Sequence, residues 1–392
     1  MSESLPRWMK EVTRLTRSGR LAEATQAIQQ ALGRRAVPMP APAPVPLDAI
    51  DGCVAEVETD TAALARQAAN LVARPVARGD GSTLTSQHSE AGLTRSYVLH
   101  LPPAASAEAS VAAMPLVVML HGCTQDPADF ALGTGMNTLA NEQGFAVLYP
   151  AQAQDANPQR CWNWFKHNHQ QRGHGEAAVL AGMTRAVLAE HGLDARRVYV
   201  AGLSAGGAMA AILGQAYPDL YAAVGIHSGL ASGAASDLMS ALSAMKNGPK
   251  TPTSAPGPAH RGEPGHAAID LGTGSAGPLP TIVFHGDGDV VVHPGNGTQA
   301  IAVAIGQALR GNGDAAISPQ VEHGISAQGR RYTRTLHPRA DGTPAQAEHW
   351  VVHGGGHAWS GGSIQGSYTD PNGPDATREM WRFFSLHARA EA

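Results

Sequence analysis

Cysteine is scarce in this chain: 392 residues hold three, Cys53, Cys123 and Cys161. So small and odd a set is no disulfide framework. No C-x-x-C pair occurs, which removes a cysteine-built zinc site, and no H-E-x-x-H helix occurs either. The run "KHNHQQRGH" puts three histidines into residues 166–174, but their spacing fits no standard metal site. A solvated loop is expected there, and no metal. Basic charge is not in excess: 28 Lys and Arg stand against 32 Asp and Glu, for a net charge of −4. That excludes the electrostatic footprint of a nucleic-acid binder. No apolar run approaches the roughly 20 residues of a membrane helix. The opening "MSESLPRWMKEVTRLTRSGR" has neither an apolar core segment nor a small-residue cleavage site, so no secretory signal is expected and the location reads as cytoplasmic.

Apolar residues are not lacking. At 43% of the chain they suffice for a sizeable core, and the length suits two domains or one large domain with appendages. Residues 5–33 carry apolar side chains at helical spacing on both sides of Ser18-Gly19, predicting a helical hairpin over 1–35. One such unit buries its apolar face only against the main domain or a second copy of the chain, so a homo-oligomer through these helices is one expectation. Residues 36–90 read as a lead-in: a stiff Pro/Ala linker, "AVPMPAPAPVPL", a helix at 59–73, then a Gly/Ser-rich loop. Beyond about 91, apolar strands ("PLVVML", "FAVLYP", "RVYVAG", "AAVGIHSG", "TIVFHG") alternate with helical segments. One of these segments, "DFALGTGMNTLANEQG", reads as a single helix. Strands that are apolar throughout, alternating with helices, predict an α/β fold with a mostly parallel sheet covered on both faces. It extends over 91–390, interrupted by a Pro/Gly-rich insertion at 249–279.

The chemistry centres on "GLSAG". Ser204 stands where the strand "RVYVA" turns into the helix "GGAMAAIL", which is the context a nucleophile elbow needs. Side chains at 202 and 206 would clash in so sharp a turn. A serine nucleophile needs a base, and the base an orienting acid, in the chain order Ser, acid, His. Downstream, "FHGDGD" offers Asp287 and Asp289, and "VVHGGGHAW" offers His353 and His357. His357 lies in a glycine-rich loop suited to reach over the sheet edge; His353 sits at the strand end, as a structural or exposed histidine would. An oxyanion would be held by the backbone N–H of Ala205, next after the serine, and by that of Cys123 in the "LHGC" loop.

Together "LHGCTQDPADFALGTGMNTLANEQGFAVLYPAQ", "CWNWF", "ARRVYVAGLSAGGAMAAILGQAYPDLYAAVGIHSG" and "GGGHAWSGG" resemble the polyhydroxybutyrate (PHB) depolymerase-type esterases of the α/β-hydrolase superfamily. The resemblance covers about 95–230 and 280–385. It implies hydrolysis of carboxylic esters without a cofactor, Ser204 as nucleophile, His357 as base, and Asp289 as the acid with Asp287 second. It gives the Cys123 amide to the oxyanion. Many relatives are secreted, so an extracellular location stands as the alternative. Cys161 shares a sheet edge with Cys123: in a reducing compartment the two are free thiols, in an oxidising one a bridge bracing the oxyanion loop. Trp162 and Trp359 are expected to wall the acyl or alcohol part of the substrate. Feruloyl or acetyl-xylan esters are a rival substrate class. A non-catalytic binding module on the same scaffold is a rival of another kind, against which the intact Ser, Asp and His set argues.

Overall fold

Five of the predicted strands are apolar without interruption because both of their faces are covered. The computed structural model describes residues 81–103, 113–249, 279–312, 318–339 and 342–390. The helical hairpin over 1–35, the linker and helix of the lead-in, and nearly all of the 249–279 insertion lie outside the described residues.

Among the described residues the main sheet has ten strands. In chain order these are β1 Ser82–Glu90, β2 Leu93–Leu101, β3 Leu116–Leu120, β4 Ala146–Pro150, β5 Val198–Leu203, β6 Ala223–His227, β7 Thr281–Gly286, β8 Gln320–Ile325, β9 Arg331–His337 and β10 Ala347–Val352. They lie side by side as β1-β2-β4-β3-β5-β6-β7-β10-β9-β8. From β4 to β10 all pairings are parallel; the two strands at each end pair antiparallel. The helices are α1 Pro127–Thr134, α2 Met136–Gln143, α3 Gly175–His191, α4 Ala205–Ala216, α5 Leu238–Asn247, α6 Gly295–Asn312 and α7 Ala376–Ser385. The pleat of β3 shows how the layers form. Leu116, Val118 and Leu120 join one core with Leu180 and Met183 of α3 and Met209 of α4. Val117 and Met119 join the other with Leu139 of α2 and Phe383 of α7.

Two local readings need correction. Residues 127–143 form two helices, because Gly135 takes a left-handed conformation (φ 64°) that closes α1 and opens α2. The expected Gly/Ser-rich loop includes an edge strand, β1, paired along its whole length with β2. Its side chains are nearly all exposed, so it needs no apolar alternation and carries none. The same holds for β8 at the opposite edge, which periodicity also misses. A two-stranded ladder, β11 Trp359–Ser360 with β12 Thr369–Asp370, lies in the excursion between β10 and α7.

From β3 the chain moves outward to β4 and then crosses to β5 on the other side. That change of direction opens a crevice at the carboxyl ends of β3 and β5, where open α/β sheets take their ligands.

Candidate active site

Ser204 follows β5 directly, at that crevice. Its backbone is held at φ 58° and ψ −118°, which costs a non-glycine residue about 1–3 kcal/mol. The surroundings impose it: the Ser204 N–H donates to His227 O (2.9 Å), and Ser204 O accepts the first helical bond from Ala208 N (2.9 Å). The turn is so tight that a Cβ on Gly206 would come within 2.0 Å of Leu120 O, and one on Gly202 within 2.4 Å of Gly206 C. Ala205 is the first residue of α4, so its N–H has no acceptor within the helix.

Asp289 lies just past β7 and His357 in the glycine-rich loop past β10, two and three strands along the same edge from Ser204. Asp289 Oδ2 is 2.7 Å from His357 Nδ1. A carboxylate only accepts, so the proton of that bond sits on Nδ1 and the Nε2 lone pair is left to take another. Oδ1 is fixed by the N–H groups of Val291 (2.9 Å) and Val292 (2.8 Å). His285, buried in β7, brings its Nε2 to 3.4 Å of Oδ2. Burial alone would raise the Asp289 carboxyl, but hydrogen bonds from His285, His357 and the Val292 amide, with the charge of His357, hold it well below the usual carboxylate range. The other Asp and His find each other. Asp287 Oδ2 meets His353 Nδ1 at 2.8 Å, and His353 Nε2 is already engaged with Thr333 Oγ1 (2.9 Å). That exposed pair borders an open polar cleft of about 570 Å³, shared with Arg330, Arg331 and Asn372.

The loop after β3 is pinned residue by residue. Buried His121 donates from Nδ1 to Gly122 O (2.8 Å) and accepts the Gln152 N–H at Nε2 (3.1 Å). The Gly122 N–H donates to Gln125 Oε1 (2.9 Å) and the Thr124 N–H to Gln159 O (2.6 Å). Cys123 stands between these two engaged amides. It forms a disulfide with Cys161, so of the two thiol readings the structure holds the bridge. The Cys161 loop is anchored in turn by Glu176, a carboxylate with no exposed surface. Glu176 accepts from Gln152 Nε2 (2.6 Å), Asn163 N (2.7 Å), Asn163 Nδ2 (2.7 Å) and Arg95 Nη2 (3.2 Å). Burial would raise its carboxyl; His169, Gln152 and Asn163 hold it below the ordinary range. His169 therefore serves a structural carboxylate, and among the described residues no group of three His, Cys, Asp or Glu side chains is arranged to hold a metal.

The expectation for Trp162 and Trp359 is overturned. They are 0% and 1% exposed, with indole N–H groups spent on His121 O (3.1 Å) and Thr377 Oγ1 (3.0 Å). Both are core residues beneath the loops. The exposed apolar side chains include four that the sequence did not single out and that follow the proposed acid and base in the chain: Val290 and Val291 directly after Asp289, and Ile364 and Tyr368 after His357. The Tyr368 hydroxyl lies 3.1 Å from Thr124 Oγ1, beside Cys123. Backbone strain could have found Tyr368, but no spacing does. Six described non-glycine residues have positive φ: Ala91 in the β1–β2 turn, and Thr124, Arg160, Ser204, Ser228 and Tyr368, all in or beside loops that follow parallel strands. Such strain gathers at functional sites.

Comparison with known proteins bears on the fold and on the family. A solved acetyl xylan esterase from Aspergillus awamori aligns over 78% of this chain and 100% of its own, with a TM-score of 0.54 and 17% identity. That likeness establishes the α/β-hydrolase fold. Poly(3-hydroxyalkanoate) depolymerase C of Paucimonas lemoignei is 36% identical over 203 residues, 52% of this chain and 46% of that protein. Feruloyl esterase B of Thermothelomyces thermophilus is 31% identical over 183 residues, 46% of this chain and 60% of that protein. The chain thus spans about half the length of these curated relatives. The family model described as "Esterase PHB depolymerase" matches residues 95–321, more than half of the chain, and on that match the protein belongs to the PHB depolymerase-type esterase family.

Proposed function

We propose that the protein is a serine carboxylesterase that cleaves esters of hydroxyalkanoic acids. One observation carries the reading: the 2.7 Å Asp289–His357 hydrogen bond stands on the same sheet edge as a serine in a strained elbow. Ser204 Oγ attacks the ester carbonyl carbon while His357 Nε2 takes its proton. Asp289, kept ionised, fixes the Nδ1–H tautomer and offsets the charge of the imidazolium. The negative charge that develops on the carbonyl oxygen is met by the N–H groups of Ala205 and Cys123. The C–O bond to the alcohol then breaks, and His357 returns the proton to the departing oxygen. Water, deprotonated by the same nitrogen, releases the acid from the acyl-enzyme. Every proton transfer is served by this chain's own residues.

The substrate class rests on two supports. The relative with the highest identity named above is a poly(3-hydroxyalkanoate) depolymerase. Apolar side chains lie exposed directly after Asp289 (Val290, Val291) and beside the Cys123 loop (Tyr368), which suits an aliphatic acyl chain better than a bare sugar. Initial rates on short 3-hydroxybutyrate oligomers, methyl ferulate and acetylated xylan test the choice. The oligomers are expected to give the highest kcat/KM. Faster turnover of methyl ferulate or of acetylated xylan would replace this substrate class with feruloyl or acetyl-xylan esters respectively.

A further inference from the structure

His227 touches the frame of all three proposed catalytic residues and is none of them. It ends β6, between the strands that carry Ser204 and Asp289, and its side chain is 1% exposed. Its carbonyl oxygen accepts the Ser204 N–H, one of the bonds that hold the elbow at positive φ. Its ring Nε2 lies 2.9 Å from the N–H of Ser360, three residues beyond His357. An amide only donates, so Nε2 must be the unprotonated nitrogen; Nδ1 then carries the proton, 3.2 Å from Ser228 Oγ. The ring stacks on Trp359 (centroids 5.0 Å apart) and on Phe284 of β7 (5.7 Å). Phe284 stacks in turn on Trp350 of β10 (5.1 Å).

We infer that His227 is a positioning residue: its neutral imidazole and its carbonyl tie the nucleophile's turn to the loop that carries the base. The inference rests on Ser204 and His357 being nucleophile and base. Reaction geometry is sensitive to displacements of about 1 Å, which can cost 100-fold in rate. Two loops tied to one residue, the elbow through its backbone carbonyl and the base's loop through its ring, keep their separation fixed even though they leave different strands. The neutral state that this arrangement needs is also the one burial favours: desolvation, then the nearby His285 and His357, push the His227 imidazole down to about 3.

The test compares His227→Phe with His227→Gln. Phenylalanine keeps the stack and removes the acceptor; glutamine offers a carbonyl oxygen near the place of Nε2. Each enzyme is titrated with a fluorophosphonate, so that kcat is expressed per reactive serine and misfolded protein is not counted. We expect His227→Phe to lose about 10- to 100-fold in kcat per titrated site with KM within about twofold, on the scale set by such displacements. His227→Gln is expected to recover most of that loss. A His227→Phe enzyme with wild-type kcat per site, or a glutamine variant no better than phenylalanine, overturns the inference while leaving the Ser204 reading intact. A wild type that takes no label overturns the Ser204 reading, and this one with it. Should His227→Phe fail to fold, ring-nitrogen NMR of histidine-labelled wild type decides: Nε2 unprotonated at neutral pH supports the role, Nε2 protonated refutes it.

Discussion

At the scale of single residues, two aspartates two positions apart have separate partners. Asp289 takes His357 and two backbone amides. Asp287 takes His353, whose second nitrogen is already engaged by Thr333. Asp289→Asn is therefore expected to lower kcat on the order of 10³–10⁴-fold, because an amide in that place favours the wrong imidazole tautomer. Asp287→Asn is expected to stay within about threefold of wild type; steady-state kinetics on one soluble ester checks both. The sequence proposed Ser204, Asp289 and His357 because each follows an apolar strand, but it kept Asp287 as a second acid, and the two Asp–His pairs are told apart by their contacts in the fold. It misplaced Trp162 and Trp359. Burial of an aromatic is set by which way its loop folds back, and "CWNWF" carries no sign of that. Tyr368 was invisible for the converse reason: its exposure, its positive φ and its contact with Thr124, 244 residues away, belong to the folded loop and leave no mark in the local sequence.

At the scale of elements, the loop after β3 depends on a partner loop. Cys123 is fastened to Cys161 across a sequence separation of 38, and Glu176 at the start of α3 fastens the Cys161 loop. A bridge closing that length of chain removes roughly 4 kcal/mol of unfolded-state entropy, and replacing both cysteines by serine is expected to cost about 2–4 kcal/mol in denaturant unfolding. The same variant is expected to lose kcat more than it changes KM, since the Cys123 amide is proposed to act on the developing oxyanion. An unchanged kcat would show that the bracing is irrelevant to the chemistry. Elements that face solvent on both sides were the ones the sequence hid: β1 and β8 have no apolar face to give them a period. The split between α1 and α2 was written at Gly135, but a glycine within a helical pattern does not by itself say whether the helix ends.

At the scale of the whole molecule, the interior holds several histidines that burial keeps uncharged. Desolvation pushes His227 down to about 3, His349 and His387 to about 4, and His121 below its ordinary value. Each binds a proton in the unfolded chain near pH 6.5 but in the native state only at lower pH. Between those limits the unfolded state holds more protons, so stability falls as pH falls, by up to about 1.4 kcal/mol per pH unit for each such group. Asp289, Glu176 and Glu348, held below the carboxylate range despite burial, add to the loss below about pH 4. Denaturation midpoints are expected to be level from pH 9 to 7 and to drop steeply below 6; a midpoint unchanged down to pH 4 would contradict this. The overall architecture was legible from strands that are apolar on both faces, since only a sheet covered by helices on each side can bury them.

The central claim is that Ser204 is the nucleophile, and covalent labelling tests it most directly. After reaction with a fluorophosphonate and digestion, mass spectrometry is expected to find one adduct, on the peptide containing Ser204, and ester hydrolysis is expected to stop as the adduct forms. Ser204→Ala should neither label nor turn over ester. An adduct on another residue, or ester turnover by Ser204→Ala at the wild-type rate, would contradict the account.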